Sequence, residues 1–260
     1  MPRHVVRSGD TIKAIVKKYN VSLSNLSIAN TNLENLDRLN PGDVIYIPDP
    51  SDGTFSLIES RPLKVQLLSM IGFSPRQIQE HYKIYQGYVN KTNEIRIKLR
   101  SMEHGESNST YSDLRSLKNA ETCTVGSYKL HELYFENLGG KGGSATGAIL
   151  EAIVRDFGSY EFWEKDFRAT GLASRGWVIL GYDYDDGHLH NYGQDTQGPV
   201  IRLEPLLVLD VHEHAYFLDY GTNCASYMDA FFRNLDWLVV NSRLTNLKNN
   251  QDKSFINKLG

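Results

Sequence analysis

An apolar run, Pro205–Leu209, ends at Asp210 and is followed at once by Val211, His212, Glu213, His214, Ala215 and Tyr216. A continuous apolar stretch of this kind reads as a buried strand that delivers polar groups at its end. Polar groups buried without partners are costly, so these residues call for a metal ion, a hydrogen-bond network or solvent; the alternative is a solvated turn with idle histidines. Two more of the eight histidines lie in helical, aromatic-rich contexts, His81 beside Tyr82 and Tyr85 and His131 between Tyr128 and Tyr134. A single histidine on an apolar helix is ordinarily a core residue with a satisfied hydrogen bond. Together, however, His81, His131, Asp210 and His214 offer three nitrogens and one oxygen without a thiolate. Such a set suits Mn, Fe or Zn better than Cu(I) or Ca.

The elements that must position these residues follow from hydrophobic period and punctuation. Ser74 or Pro75 opens a helix with Ile78, Tyr82, Tyr85 and Val89 at helical spacing, and a second, with an irregular middle, is expected from Tyr111 to Leu138. Gly139–Ser144 breaks the chain; no strand precedes it and the GxxxxGK[ST] pattern is absent, so it is not a phosphate loop. Helices are expected at Gly147–Phe157, Glu161–Ala173 and Cys224–Asp236, and strands at Gly176–Tyr182, Gly187–His190 and Pro205–Leu209. The N-terminal segment has its own pattern: a strand at His4–Arg7, a Ser8-Gly9-Asp10 turn, a helix capped by Asp10 or Thr11, a second led by Ser22 over Leu23–Asn30, the turn Asn40–Asp43 and a strand at Val44–Ile47. That order is β-α-α-β. Asp49–Gly53 reads as a linker.

The composition bounds the function. The 260 residues, 40% apolar and 23% charged with a formal net charge of -3, describe a globular chain and argue against nucleic-acid binding by bulk charge. No apolar run reaches the ~18–20 residues of a membrane helix, and the first residues lack the apolar core of a secretory signal. The two cysteines, Cys123 and Cys224, make neither a disulfide framework nor a zinc site. His188 and His190 alternate on one strand face and read as an exposed pair, while His4 and His104 carry no signal.

The stretches VVRSGDTIKAIVKKYNVSLSNLSIAN and LNPGDVIYIP resemble a LysM module over residues 2–49. The resemblance implies a shallow groove for N-acetylglucosamine-containing glycans such as peptidoglycan, with Gly9, Asp10, Thr11 and Ile12 on one side and Leu36, Asp37 and Leu39 on the other. After a linker at 50–61, the region from 62 to 242 resembles the iron/manganese superoxide dismutases. The carrying words are His81 with Tyr88-Val89-Asn90, His131–Leu138, Gly176-Trp177, Gly193-Gln194-Asp195 and Leu209–Tyr220. The fold this implies is α+β: a βααβ module, then an α-hairpin domain (62–143), an α/β domain with a three-stranded antiparallel sheet (144–242) and a polar tail (243–260).

The resemblance assigns one Mn or Fe ion to His81, His131, Asp210 and His214, with superoxide as substrate. It makes Tyr88 the gateway residue and Gln194 the partner of bound solvent, and it implies a homodimer in which Glu213, with Tyr216 nearby, reaches His214 of the second copy. Gln194 in the later loop, with small Ser127 four residues before His131, resembles the manganese type. Neither nucleic acid nor membrane is implied as a partner; synthesis without a signal, then association with a wall, spore coat or cortex, is the expected location.

Departures from the family pattern are also legible. The family spaces its first ligand eight residues before the gateway tyrosine, where Glu80 stands; His81 is seven before Tyr88. At about 100° per residue, seven steps return to nearly the same helix face, and eight would need a π-bulge. We therefore expect His81, on an unbulged helix, to be the ligand. His212 stands for a usual tryptophan, Phe135 for another, and Cys224 for an arginine near the substrate funnel. These changes keep open the alternative of a catalytically weak or silent structural protein of the wall or spore coat.

Overall fold

The computed structural model describes residues 3–21, 23–30, 33, 38–48, 57–102, 107–195 and 202–247. Ser22, Leu36 and Asp37, most of the linker and the tail beyond 247 lie outside them. The chain divides into two compact units, residues 1–60 with 87–125, and residues 61–86 with 126–260.

The first unit begins with strand β1 (Arg3–Val5), helices α1 (Ile12–Tyr19) and α2 (Leu23–Ala29) and strand β2 (Val44–Tyr46), which pairs antiparallel with β1. Thr11, rather than Asp10, caps α1 through the Ala14 amide. Val6, Ile12, Ile15, Val21, Leu26, Ile45 and Ile47 form the core, so Ile12, expected on a groove wall, is buried, and Leu39 packs partly against the same cluster. Buried Asn30 ties α2 to β2: its amide donates to the Leu26 and Tyr46 carbonyls and its Oδ1 accepts from the Tyr46 amide. Backbone groups at the end of a two-stranded sheet are thereby satisfied without a third strand.

Two long helices follow, α3 (Pro75–Ser101) and α4 (Asp113–Glu136), each passing from one unit to the other. Helix α4 is continuous, where an irregular middle was expected, and α3 has no π-bulge. In the second unit, α5 (Ala148–Phe157) and α6 (Tyr160–Ala173) precede a three-stranded antiparallel sheet of β3 (Trp177–Asp183), β4 (Leu189–Gln194) and β5 (Leu203–Asp210) in the order β4-β3-β5. A register irregularity at Leu180/Gly181 brings Gly181 opposite Pro205; proline lacks the N–H that a regular ladder needs, and a bulge accommodates it. Short helices α7 (Phe217–Tyr220) and α8 (Cys224–Arg233) follow, and residues 237–247 form a further helical stretch. The polar tail expected from Arg243 therefore starts too early. Arg243 is largely buried, bonding Asn137 Oδ1, the Leu206 and Leu133 carbonyls and Glu136.

The glycine-rich break has a packing cause. The amides of Gly139 and Gly140 donate to the Asn234 carbonyl, and that of Gly142 donates to Leu235. A Cβ on Gly140 would collide with the Leu235 carbonyl, and one on Gly142, itself at φ +63°, would lie 2.6 Å from the Arg233 and Phe232 carbonyls. We expect Gly140→Ala to destabilise the second unit by about 1–3 kcal/mol. Gly143→Ala, with open space around it, should cost less. Urea unfolding followed by tryptophan fluorescence reads this unit alone, because Trp163, Trp177 and Trp237 all lie in it.

Candidate metal centre

Three elements of the second unit converge on one buried carboxylate. Asp210 closes β5, His81 lies on α3, His131 lies on α4, and His214 sits in a single 3-10 turn, Glu213–Ala215, just after β5. Asp210 Oδ2 is 3.0 Å from His81 Nε2, 3.2 Å from His214 Nε2 and 3.5 Å from His131 Nε2. One ligand atom from each of the four residues lies within 4.8 Å of the others. His81, His131 and Asp210 are fully buried, and His214 is half-buried.

Local bonds hold each member in place. Ser74 Oγ accepts from the Gln77 amide and opens α3. Gln77, buried one turn before His81, donates to the His214 carbonyl and accepts from the Leu218 amide, tying the histidine turn to α3. Asn137 donates to the Val208 carbonyl and fixes the end of α4 against β5. Tyr227, itself bonded to Tyr134, donates to the Asp210 carbonyl at 2.6 Å. Sequence reasoning missed Gln77; its only mark is a polar type in helical register with His81.

The sheet aligns three of the site's residues on one rung, because Trp177 of β3 pairs with Gln194 on one side and Asp210 on the other. The Trp177 ring meets His131 edge-on at 4.9 Å. Tyr134 and Phe135 close the other side, 4.9 and 5.0 Å from the His81 ring.

Protonation follows from these surroundings. Burial pushes His81 below its ordinary pKa and pushes His131 down to about 3. Burial alone would raise the pKa of Asp210; hydrogen bonds from His212, His214 and His81 hold it well below the carboxylate range. The site therefore holds an anion beside two imidazoles, those of His81 and His131, that burial keeps neutral. His131 Nδ1 lies 2.7 Å from the Ser127 carbonyl, an acceptor, so Nδ1 carries the proton and the Nε2 lone pair faces the Asp210 oxygen. Two electron-rich atoms facing each other in a buried space call for a cation. Among the described residues, His81 Nδ1, Trp177 Nε1 and Gln194 Oε1 are buried without a hydrogen-bond partner. An N3O donor set with no thiolate fits Mn or Fe.

Glu80, the residue at the ligand spacing that the resemblance implies, is half-buried and pairs with Lys83. Tyr88 is carried by α3, seven residues beyond His81. Glu213 is exposed, while Tyr216 is buried and stacked on Tyr227 at 5.0 Å. Cys224 is half-buried beside Tyr216, and no disulfide joins it to Cys123. His188 is exposed and His190 half-buried, and they pair separately with Asp156 and Asp186.

In the first unit, Gly9 takes φ +91° in the turn before Asp10 and Thr11. The Asp10 carboxylate is already engaged: it accepts from the Arg7 amide and bonds buried His4, whose other nitrogen meets Tyr19 OH at 3.0 Å. The Arg7 amide first and His4 second hold Asp10 below its ordinary pKa. His4, silent in the sequence, thus has a defined contact.

Comparison with known proteins agrees with this geometry. Residues 4–48 match the LysM domain model, and residues 145–243 match that of the iron/manganese superoxide dismutases, C-terminal domain. The chain is 40% identical over 199 residues to a superoxide dismutase [Fe] of Aquifex pyrophilus, covering 74% of this chain and 92% of the relative. It is 39% identical to a superoxide dismutase [Fe] of Cupriavidus metallidurans, over 70% of this chain and 93% of the relative. It is 37% identical to superoxide dismutase [Mn] 1 of Halobacterium salinarum, over 60% of this chain and 78% of the relative. With its buried three-histidine, one-aspartate cluster, the chain belongs to the iron/manganese superoxide dismutase family and carries a LysM domain ahead of the dismutase region.

Proposed function

We propose that this protein converts two superoxide ions and two protons to dioxygen and hydrogen peroxide, using one Mn or Fe ion held by His81, His131, Asp210 and His214. The observation that carries this reading is the buried Asp210 oxygen shared by three imidazole nitrogens, with the His131 lone pair turned toward it. A Mn or Fe ion held by these four residues would supply the one-electron couple that the reaction needs. Asp210 contributes negative charge, which favours the higher oxidation state. The Ser127 carbonyl keeps the His131 proton on Nδ1, leaving Nε2 free of a proton for the ion. We assign Gln194 to the hydrogen bond with solvent in the site and Tyr88 to the gateway for substrate and protons.

Gln194 on β4, together with small Ser127 on α4, supports manganese as the working ion. Exposed Glu213 supports a homodimer in which it bonds the partner's His214. The LysM domain supports a tether to an N-acetylglucosamine-containing glycan such as peptidoglycan, in a wall or spore layer, with Gly9, Asp10, Thr11, Ile12 and Leu39 in or beneath the contact; Leu36 and Asp37 complete the assigned set. Among the described residues no helix is long and apolar enough to cross a membrane.

Elemental analysis of the wild type should give about one Mn or Fe per chain with dismutation, and His131→Ala should lose at least ten-fold in both. A full complement of metal without dismutation would instead favour a structural role. Acid should empty and loosen the site. His131 is depressed to about 3 from an ordinary value near 6.5; a group whose folded pKa is lowered contributes stability that is complete above the unfolded value and is lost as pH falls toward the folded one. Metal content and thermal midpoint should therefore both fall from about pH 6.5 downward, and the fall in midpoint should flatten in metal-free His131→Gln. For the tether, Asp10→Ala should weaken sedimentation of the full chain with insoluble peptidoglycan several-fold while leaving dismutation unchanged.

A further inference from the structure

His212 follows Asp210 by two residues and places an imidazole N–H against the carboxylate oxygen that the other histidines do not use. Asp210 Oδ1, the carboxylate oxygen turned away from the other histidines, accepts from the His212 backbone amide at 2.9 Å and bonds the His212 ring at Nδ1 at 2.7 Å. A carboxylate without a proton is acceptor-only, so Nδ1–H is the donor in this bond. The ring is clamped in the orientation that makes it. It stacks on His214 with centroids 5.0 Å apart and planes 13° apart, and it meets Trp177 edge-on at 5.5 Å. Behind it lies Gly176, where a Cβ would come within 3.3 Å of His212 Cε1 and Nε2. A side chain at 176 would crowd the imidazole.

We infer that His212 is a positioning residue that acts on the redox ion through Asp210, its Nδ1–H drawing negative charge to Oδ1, weakening Oδ2 as an anionic ligand and raising the reduction potential of the ion. The inference rests on the metal-centre reading given above. Its physical basis is that a carboxylate stabilises a +3 ion more than a +2 ion, so any donor that disperses the carboxylate charge narrows that preference. The same bond also fixes the rotation of the carboxylate, which presents Oδ2 to the three histidines.

The test is a spectroscopic redox titration of the metal-loaded full chain in wild type, His212→Phe, His212→Leu and His212→Asn, with metal content and thermal midpoint measured in parallel. Phe and Leu remove the donor, one keeping a ring and the other a smaller apolar group in case the ring misfits. Asn carries an amide nitrogen in the place of Nδ1. Phe and Leu should lower the ratio of reduced to oxidised ion about ten-fold at a fixed solution potential, a shift of ~59 mV for a one-electron couple, while Asn stays near wild type. A role confined to packing would move the thermal midpoint without this pattern. Unchanged or raised potentials in Phe and Leu, or an Asn variant displaced as far as Phe, would overturn the inference alone. A wild-type chain that takes up no redox-active ion would overturn the metal-centre reading as well.

Discussion

The second unit is organised around the charge of one carboxylate that has no access to solvent. An ionised group in a low-dielectric interior is tolerated only when its lone pairs are filled and its charge is met. Asp210 satisfies the first condition through the His212 amide and ring and through His81 and His214. The second condition is what a bound cation would meet. Much of the surrounding packing serves this requirement. Tyr227 holds the Asp210 backbone, Gln77 holds the histidine turn, and Asn137 with Arg243 locks the end of α4 to β5. The aromatic wall of Tyr134, Phe135 and Trp177 lowers the local dielectric and strengthens the electrostatics around the carboxylate.

Much of this arrangement could be read from residue types and spacing, because the four converging side chains sit in distinctive contexts: a strand that ends in an acid, and histidines among aromatic residues on long helices. Helical spacing to Tyr88, the gateway position that the resemblance implies, favoured His81 over Glu80, and the structure has His81 in the cluster and Glu80 paired with Lys83. What stayed hidden depended on partners far away in sequence. Gln77 looks like any polar residue on a helix surface until its bonds to His214 and Leu218 are seen. Arg243 lies in a polar, Asn- and Lys-rich stretch that reads as frayed, yet it binds carbonyls on α4 and β5. The glycine run announced a break but not its reason, which is the close passage of the backbone at residues 233–236. Periodicity reports which face is apolar; it carries no record of which distant backbone group needs a donor.

The first unit shows the same division. Its strand and helix order follow from turn chemistry and apolar spacing, whereas the bonds that complete it come from Asn30 and His4, polar residues without a periodic signature. Asn30 bonds both backbone groups of Tyr46 as a neighbouring strand would. His4 engages the Asp10 carboxylate from beneath, so the turn carrying Gly9 and Thr11 is preorganised rather than left to order on contact.

The bulge opposite Pro205 divides the sheet into two parts of different tolerance. Below it, Gln194, Trp177 and Asp210 share a rung, and a slip by one residue would turn each side chain to the opposite face. Above it, the hairpin at 183–188 is remote from that rung, and the local irregularity already absorbs one residue of mismatch between β3 and β5. A change in hairpin length must still present His188 and the Leu189 amide to Asp156 on α5, whereas the opposite end of the same strands must keep its rung alignment.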